Sequence, residues 1–204
     1  MMVSKHGFAA LLVALLPAGA CAFFGKVPPL HPRYFDAEVV AAARPAAAAG
    51  NAGEHPLRLG HVVGSSYLRE RIAYHVSEHE LGLYDQLRWT ERPEDYVRRA
   101  LARALFEERN LTNVVSGVVP ALELELTDFS ELKKPQHAVR VRARVVLVEQ
   151  RAVRFERTFT VELPVANGDD FGLVPAALSE ALSKCVEQIA DAVSAELLAL
   201  SAPR

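Results

Sequence analysis

Hydrophobic and polar side chains alternate from Ala121 to Thr127, with Leu122, Leu124 and Leu126 on one side and Glu123 and Glu125 on the other. A period of two is the mark of a strand with one face buried. The same alternation runs through Leu57–Val63 and through Arg71–Ser77, where Ile72, Tyr74 and Val76 share a face. Leu81–Tyr84 is a third short candidate. Val139–Val148 and Val153–Leu163 are longer, and the Gln150-Arg151 pair between them predicts an antiparallel hairpin.

Two segments change period. From Pro93, the residues Tyr96, Val97, Ala100, Leu101, Ala104 and Leu105 recur at helical spacing, ending near Asn110. Proline fits the first helical turn, and Glu94 and Asp95 complement its positive end. A second, longer helix is predicted from Val174 to Leu200, with a stripe of Leu178, Leu182, Cys185, Val186, Ile189, Val193, Leu197 and Leu200 after a loop at Asn167–Asp170. Strands, helix, strands, helix predict an α+β fold: a mixed, largely antiparallel sheet of about four to six strands with two helices packed on one face.

The N-terminal pattern is of another kind. Lys5 and His6 precede an apolar run from Phe8 to Leu16, then Pro17 and the small residues Ala18-Gly19-Ala20 before Cys21. The run is shorter than the roughly 20 residues a spanning helix needs, and the order is that of an export signal. Cleavage before Cys21 is expected, with Cys21 as the acylated first residue of a lipoprotein. Ala18-Gly19-Ala20 also suits an ordinary signal peptidase, since Ala18 stands where a lipobox usually carries Leu. The chain thus divides into a signal peptide at 1–20, an acylated Cys and a flexible Pro/Ala-rich tether at 21–56, and an α+β domain at 57–204. Within the tether, Arg33-Tyr34-Phe35 stands out as an edge strand, a docked segment or an exposed anchor.

Composition narrows the function classes. The 204 residues carry a formal net charge of −2, which gives no excess for nucleic acid. Arg88, Arg92, Arg98, Arg99, Arg103 and Arg109 are interleaved with Glu91, Glu94, Asp95, Glu107 and Glu108, which reads as a solvated face. There are two cysteines, Cys21 and Cys185, and the second falls on the helical stripe as a small apolar residue.

Chemical signatures are sparse. No nucleophile elbow, zinc-protease motif, Walker loop or dinucleotide fingerprint occurs. His61, His75 and His79 are the nearest approach to a metal cluster, but four-residue spacing joins two histidines only on a helix, and the segment reads as strand. Glu123 and Glu125 read as rungs of a ladder facing Arg140, Arg142 or Arg144 on a neighbouring strand. A non-enzymatic protein without cofactor or metal is expected.

One block is more specific. Leu57-Arg58-Leu59-Gly60, Leu68–Tyr74, Glu80–Tyr84 and Arg88–Pro93, leading into Tyr96–Leu101, resemble the ABC-type transport auxiliary lipoprotein family. That resemblance implies a periplasmic accessory subunit of a lipid-moving ABC system, with mammalian-cell-entry (MCE) domain proteins and ABC transporter subunits as partners and phospholipid as a candidate ligand. It also implies a membrane held through the N-terminal lipid. By analogy with lipoprotein sorting, Ala22 after Cys21 points to the outer rather than the inner membrane.

The sole tryptophan, Trp89, admits two readings. It is either a core peg joining a strand to the Pro93 helix, or a member with Arg88, Tyr84, Arg71 and Tyr74 of a partner-docking surface, where Trp, Tyr and Arg are enriched. A second functional class remains beside the transport reading: an outer-membrane assembly or cell-wall lipoprotein that binds a barrel protein or a peptidoglycan enzyme.

Overall fold

The computed structural model describes residues 31–37, 55–166, 170 and 172–201. The expected signal peptide, Cys21 and most of the 21–56 tether lie outside the described residues, as do Asn167–Asp169. The elements are β1 (Arg33–Phe35), β2 (Pro56–Gly64), β3 (Arg71–Ser77), β4 (Glu80–Trp89), α1 (Pro93–Ala102), β5 (Thr112–Asn113), β6 (Ala121–Leu132), β7 (Ala138–Glu149), β8 (Ala152–Pro164) and α2 (Leu173–Ser201).

β6 is the axis of the sheet. On one side it pairs antiparallel with β7, which continues through the expected hairpin into β8. On the other side it accepts two strands in succession. β2 runs parallel to its first half, from Arg58 opposite Ala121 to Gly64 opposite Leu126, and β3 runs parallel to its end, from Ala73 opposite Ser130 to His75 opposite Leu132. β2 and β3 are therefore one strand path, interrupted by an excursion at Ser65–Glu70. β4 then pairs antiparallel with β3, while β1 joins β4 and β5 joins β2 in parallel.

The α+β class and mixed sheet are as expected, but the sheet has eight strands rather than four to six. The additions are β1, in the segment read as tether, and the two-residue β5. Both are too short to show a period.

The helices cover the face of β6 that carries Leu122, Leu124, Leu126 and Phe129. Tyr96, Val97, Ala100 and Leu101 of α1 are buried there, as are Leu178, Leu182, Cys185, Val186, Ile189, Val193 and Leu197 of α2. Burial pushes the Cys185 thiol up to about 12, so it stays protonated and inert. Leu200, expected on the same stripe, is exposed because α2 outruns the surface it covers. α1 widens into a π-helical turn at Arg103–Glu107 and stops at Asn110, whose positive φ of 55° ends the helix. No helix among the described residues is long and apolar enough to cross a membrane.

The opposite face of the sheet is polar, and its charges form a ladder across three strands. Arg144 lies 3.9 Å from Glu125 and 2.7 Å from Glu156, and Arg140 lies 3.6 Å from Asp128 and 2.6 Å from Glu162. The arginines around α1 are also engaged. Arg99 pairs with Glu91, Arg103 with Glu108 at 3.3 Å and Arg109 with Asp191 at 2.6 Å. The exposed pairs, Arg144 with Glu125 and Glu156 and Arg99 with Glu91, contribute about 0–1 kcal/mol each, whereas Asp128 and Arg109 are nearly buried and lie outside the expected solvated face.

The β7–β8 turn places Gln150 and Arg151 at φ 47° and 71°, both left-handed. A two-residue hairpin turn wants this geometry, but side chains with a Cβ adopt it at a cost of about 1–2 kcal/mol each. Gln150→Asn combined with Arg151→Gly is therefore expected to raise stability by about 1–2 kcal/mol, read as a higher urea midpoint with an unchanged slope.

Candidate docking surface

β3 and β4 carry the sequence-predicted docking residues, and alternation sorts them onto two faces. Ile72 is buried beneath the helices, so Tyr74, two residues on, points to the same side where the helices no longer reach. Its ladder partner in β4 is Gly82. A Cβ at position 82 would stand far inside contact distance of the Tyr74 ring, so this glycine makes room for the tyrosine. Tyr84 lies next along β4, with its ring 4.8 Å from that of Tyr74 and tilted by 55°.

Lys133 closes the pair. Its ammonium sits 3.8 Å from the Tyr74 ring centroid and 4.9 Å from that of Tyr84, within cation–π range of both. The buried Glu131 buttresses the group from below. Its Oε2 accepts the Tyr84 hydroxyl at 2.5 Å and its Oε1 contacts His137 Nε2 at 2.6 Å. Burial, followed by that hydrogen bond to Glu131, raises the Tyr84 pKa, so the phenol remains a donor at any physiological pH.

Arg71 has a structural task. β4 bulges here: Arg71 faces Arg88 and Ala73 faces Leu83, leaving Tyr84–Leu87 opposite Ile72 alone. The Arg71 guanidinium fills the gap by donating Nε to the Tyr84 carbonyl and Nη2 to the Leu83 carbonyl, both at 3.0 Å, and it meets Asp85 at 2.6 Å. Arg71 thereby holds Tyr84 in register. Arg88 is half-buried between Arg71 and Tyr34, its neighbour in β1, and Tyr34 is itself 60% exposed.

Trp89 separates from the group. It is 1% exposed, its ring 5.1 Å from Phe129 and 6.1 Å from Tyr96, because the next residue along β4 after Arg88 turns to the helix side. Of the two readings for this residue, the structure shows the core peg. Tyr74 and Tyr84 meet on the helix-side face of the hairpin beyond the helices, Arg71 reaches Tyr84 through its backbone carbonyl with Arg88 as its strand neighbour, and Trp89 is buried in the core.

Four members of the neighbourhood escaped the sequence reading: Glu131, Lys133, His137 and, on the outer face, Asp128. Asp128 is 5% exposed and receives Ser130 Oγ at 2.5 Å and Tyr67 Oη at 3.4 Å, with His75 Nε2 at 3.8 Å and Arg140 at 3.6 Å. Tyr67 comes from the Ser65–Glu70 excursion, and burial, then Asp128, raises its pKa. His75 thus faces this carboxylate. Among the described residues no three His, Cys, Asp or Glu side chains come together as metal ligands.

The fold recurs in solved structures. One is a crystal structure of a protein from Xanthomonas campestris, at 19% identity and TM-score 0.65, covering 81% of this chain and 95% of that one. A second is an uncharacterised protein at 15% identity and TM-score 0.64, covering 80% and 99%. A hypothetical protein from Chlamydia trachomatis shares 8% identity at TM-score 0.52, covering 71% and 98%. At such identities the likeness speaks to fold alone. No curated protein sequence matches the chain. The model of the family described as ABC-type transport auxiliary lipoprotein component matches residues 38–190, which include the whole candidate surface. The chain belongs to the ABC-type transport auxiliary lipoprotein family.

Proposed function

We propose that this protein is a non-enzymatic periplasmic component of an MCE-associated lipid transport system, docking through the β3–β4 hairpin on an MCE-domain subunit and helping lipid pass between membranes. In this reading Cys21 carries the anchor and the outer membrane holds it. Family membership supports the coarse assignment, an auxiliary lipoprotein of an ABC-type system.

The observation that carries the docking site is the Tyr74–Tyr84–Lys133 group, two half-buried aromatic rings under an exposed cation. Glu131 and Arg71 fix Tyr84, and Tyr74 packs on it over Gly82, before any partner arrives, which lowers the ordering cost of association. Aromatic side chains with a polar rim are the usual energetic centres of protein interfaces. The buried carboxylates of Asp128 and Glu131 are occupied in holding tyrosines, which supports a binding rather than a reacting role.

Affinity purification of the protein from membranes tests the reading. An MCE subunit is expected with the native chain, and Lys133→Glu, at an exposed position, is expected to lower its recovery at least about tenfold with folding intact. Recovery of a barrel protein or a peptidoglycan enzyme in place of the MCE subunit would transfer the protein to the assembly or cell-wall class.

A further inference from the structure

Eight large apolar side chains are exposed among the described residues, and five of them, Val115, Val118, Val153, Leu198 and Leu200, gather at one end of the sheet. The topology places them there. The loop after β5 precedes Ala121, the first residue of β6, and Ala121 faces Val148 near the end of β7. Val153 begins the return of the hairpin opposite Val148. α2 passes Arg157–Thr160 with residues Gln188–Ala192. At about 1.5 Å per helical residue against about 3.3 Å per strand residue, its Leu198 reaches the level of Val153 and Arg154.

The loop is the most exposed part. Val115 and Val118 are 87% and 85% exposed about Gly117, whose φ of 112° makes the tip. From Asn110 to Leu122 there is no charged residue. Three arginines stand at the same end of the sheet as this uncharged tip: Arg58, whose backbone N–H binds the Pro120 carbonyl, Arg151 in the β7–β8 turn, and Arg154 beside Glu149. Glu149 meets Arg154 at 3.0 Å, and Arg58 and Arg151 add positive charge beside that pair. The chain also enters the sheet here. Thr112 N–H binds the His55 carbonyl and Val114 N–H that of Leu57, so the loop lies beside the point where residues preceding β2 join the fold.

We infer that this end of the domain seats on an anionic bilayer surface, with Val115 and Val118 below the headgroups and Arg58, Arg151 and Arg154 at the phosphates. An uncharged apolar tip with arginines at the same end matches the layered chemistry of a bilayer interface, apolar inside and anionic at the rim. Two valines give weak affinity on their own, so the seat orients a protein held nearby by other means, as a lipoprotein is. The inference does not depend on which protein subunit the hairpin meets.

The test uses the full chain purified from membranes and reconstituted into phosphatidylethanolamine–phosphatidylglycerol vesicles with brominated acyl chains. Trp89 is the sole tryptophan and is buried, so Val118→Trp reports the loop, and Val63→Trp, exposed in mid-sheet, serves as control. The emission added at position 118 is expected to be roughly halved by bromine, as for a side chain below the headgroups, with position 63 unaffected. No quenching at 118, equal quenching at both positions, or failure of the protein to stay on the vesicles would overturn the seat.

Discussion

Trp89→Ala is expected to unfold the domain rather than to weaken a partner contact. The indole is 1% exposed and wedged between Phe129 of β6 and Tyr96 of α1, so it joins the central strand to the first helix. Removing it leaves a cavity that neighbours close only in part, at about 3–5 kcal/mol. Natural domains hold about 5–15 kcal/mol in total, so much of the stability would go. Tyr96 would also lose its ring partner while keeping its hydroxyl bonds to Thr90 and to the Glu91 backbone. Urea denaturation followed by circular dichroism checks this, with Trp89→Phe recovering a large part of the loss. A Trp89→Ala protein as stable as the parent but unable to bind its partner would return this residue to the interface.

Glu131→Ala has the second largest expected effect. The carboxylate is 4% exposed and is the acceptor for the Tyr84 hydroxyl, with His137 on its other oxygen. Truncation leaves a partly buried phenol unsatisfied, at about 1–3 kcal/mol, beyond the packing lost with the side chain. Glu131→Gln keeps one carbonyl oxygen for Tyr84 and is expected to cost about 1 kcal/mol or less. Equilibrium denaturation of the two variants separates the contributions. Loss of partner binding by Glu131→Ala in a still-folded protein is expected too, since Tyr84 and then Tyr74 are freed from their fixed pose.

Where the sequence was legible, a single period governed the burial. Leu122, Leu124 and Leu126 announced β6, the stripe from Leu178 to Leu197 announced α2, and Gln150-Arg151 marked the hairpin turn. The alternation of β6 ends at Thr127 because the pairing with β7 slips there, between Leu126 and Asp128. Phe129 follows Leu126 by three residues rather than two, so the alternation breaks although the strand continues to Leu132. Asp128, Ser130 and Glu131 lie in that continuation, and a bulge of this kind hid the polar groups that support the site. Strand direction was not legible either. Alternation is the same for parallel and antiparallel neighbours, and β2 and β3 both join β6 in parallel.

The candidate site was half visible. Tyr74, Tyr84, Arg71 and Arg88 sat in the block that resembles the family, and the structure gathers them on one hairpin. Lys133 was not singled out because it lies in a loop without a period, and its meaning comes only from the two rings beneath it. Trp89 is ambiguous in sequence because a strand residue between Arg88 and Thr90 can turn either way. The bulge at Tyr84–Leu87 decides which side each residue of β4 takes.

The hairpin and the apolar loop lie at opposite ends of β6, a strand of 12 residues, so about 40 Å separates them. A domain seated on a bilayer by the loop would hold Tyr74, Tyr84 and Lys133 well above it, where a subunit reaching across the periplasm could be met. Photocrosslinking in cells tests that most directly, with a photoreactive residue at position 133 and, for comparison, at the exposed Arg157 of β8. Crosslinks to an MCE subunit from position 133 and none from 157 are the expected result. An MCE crosslink from 157 with position 133 silent would contradict docking through the hairpin.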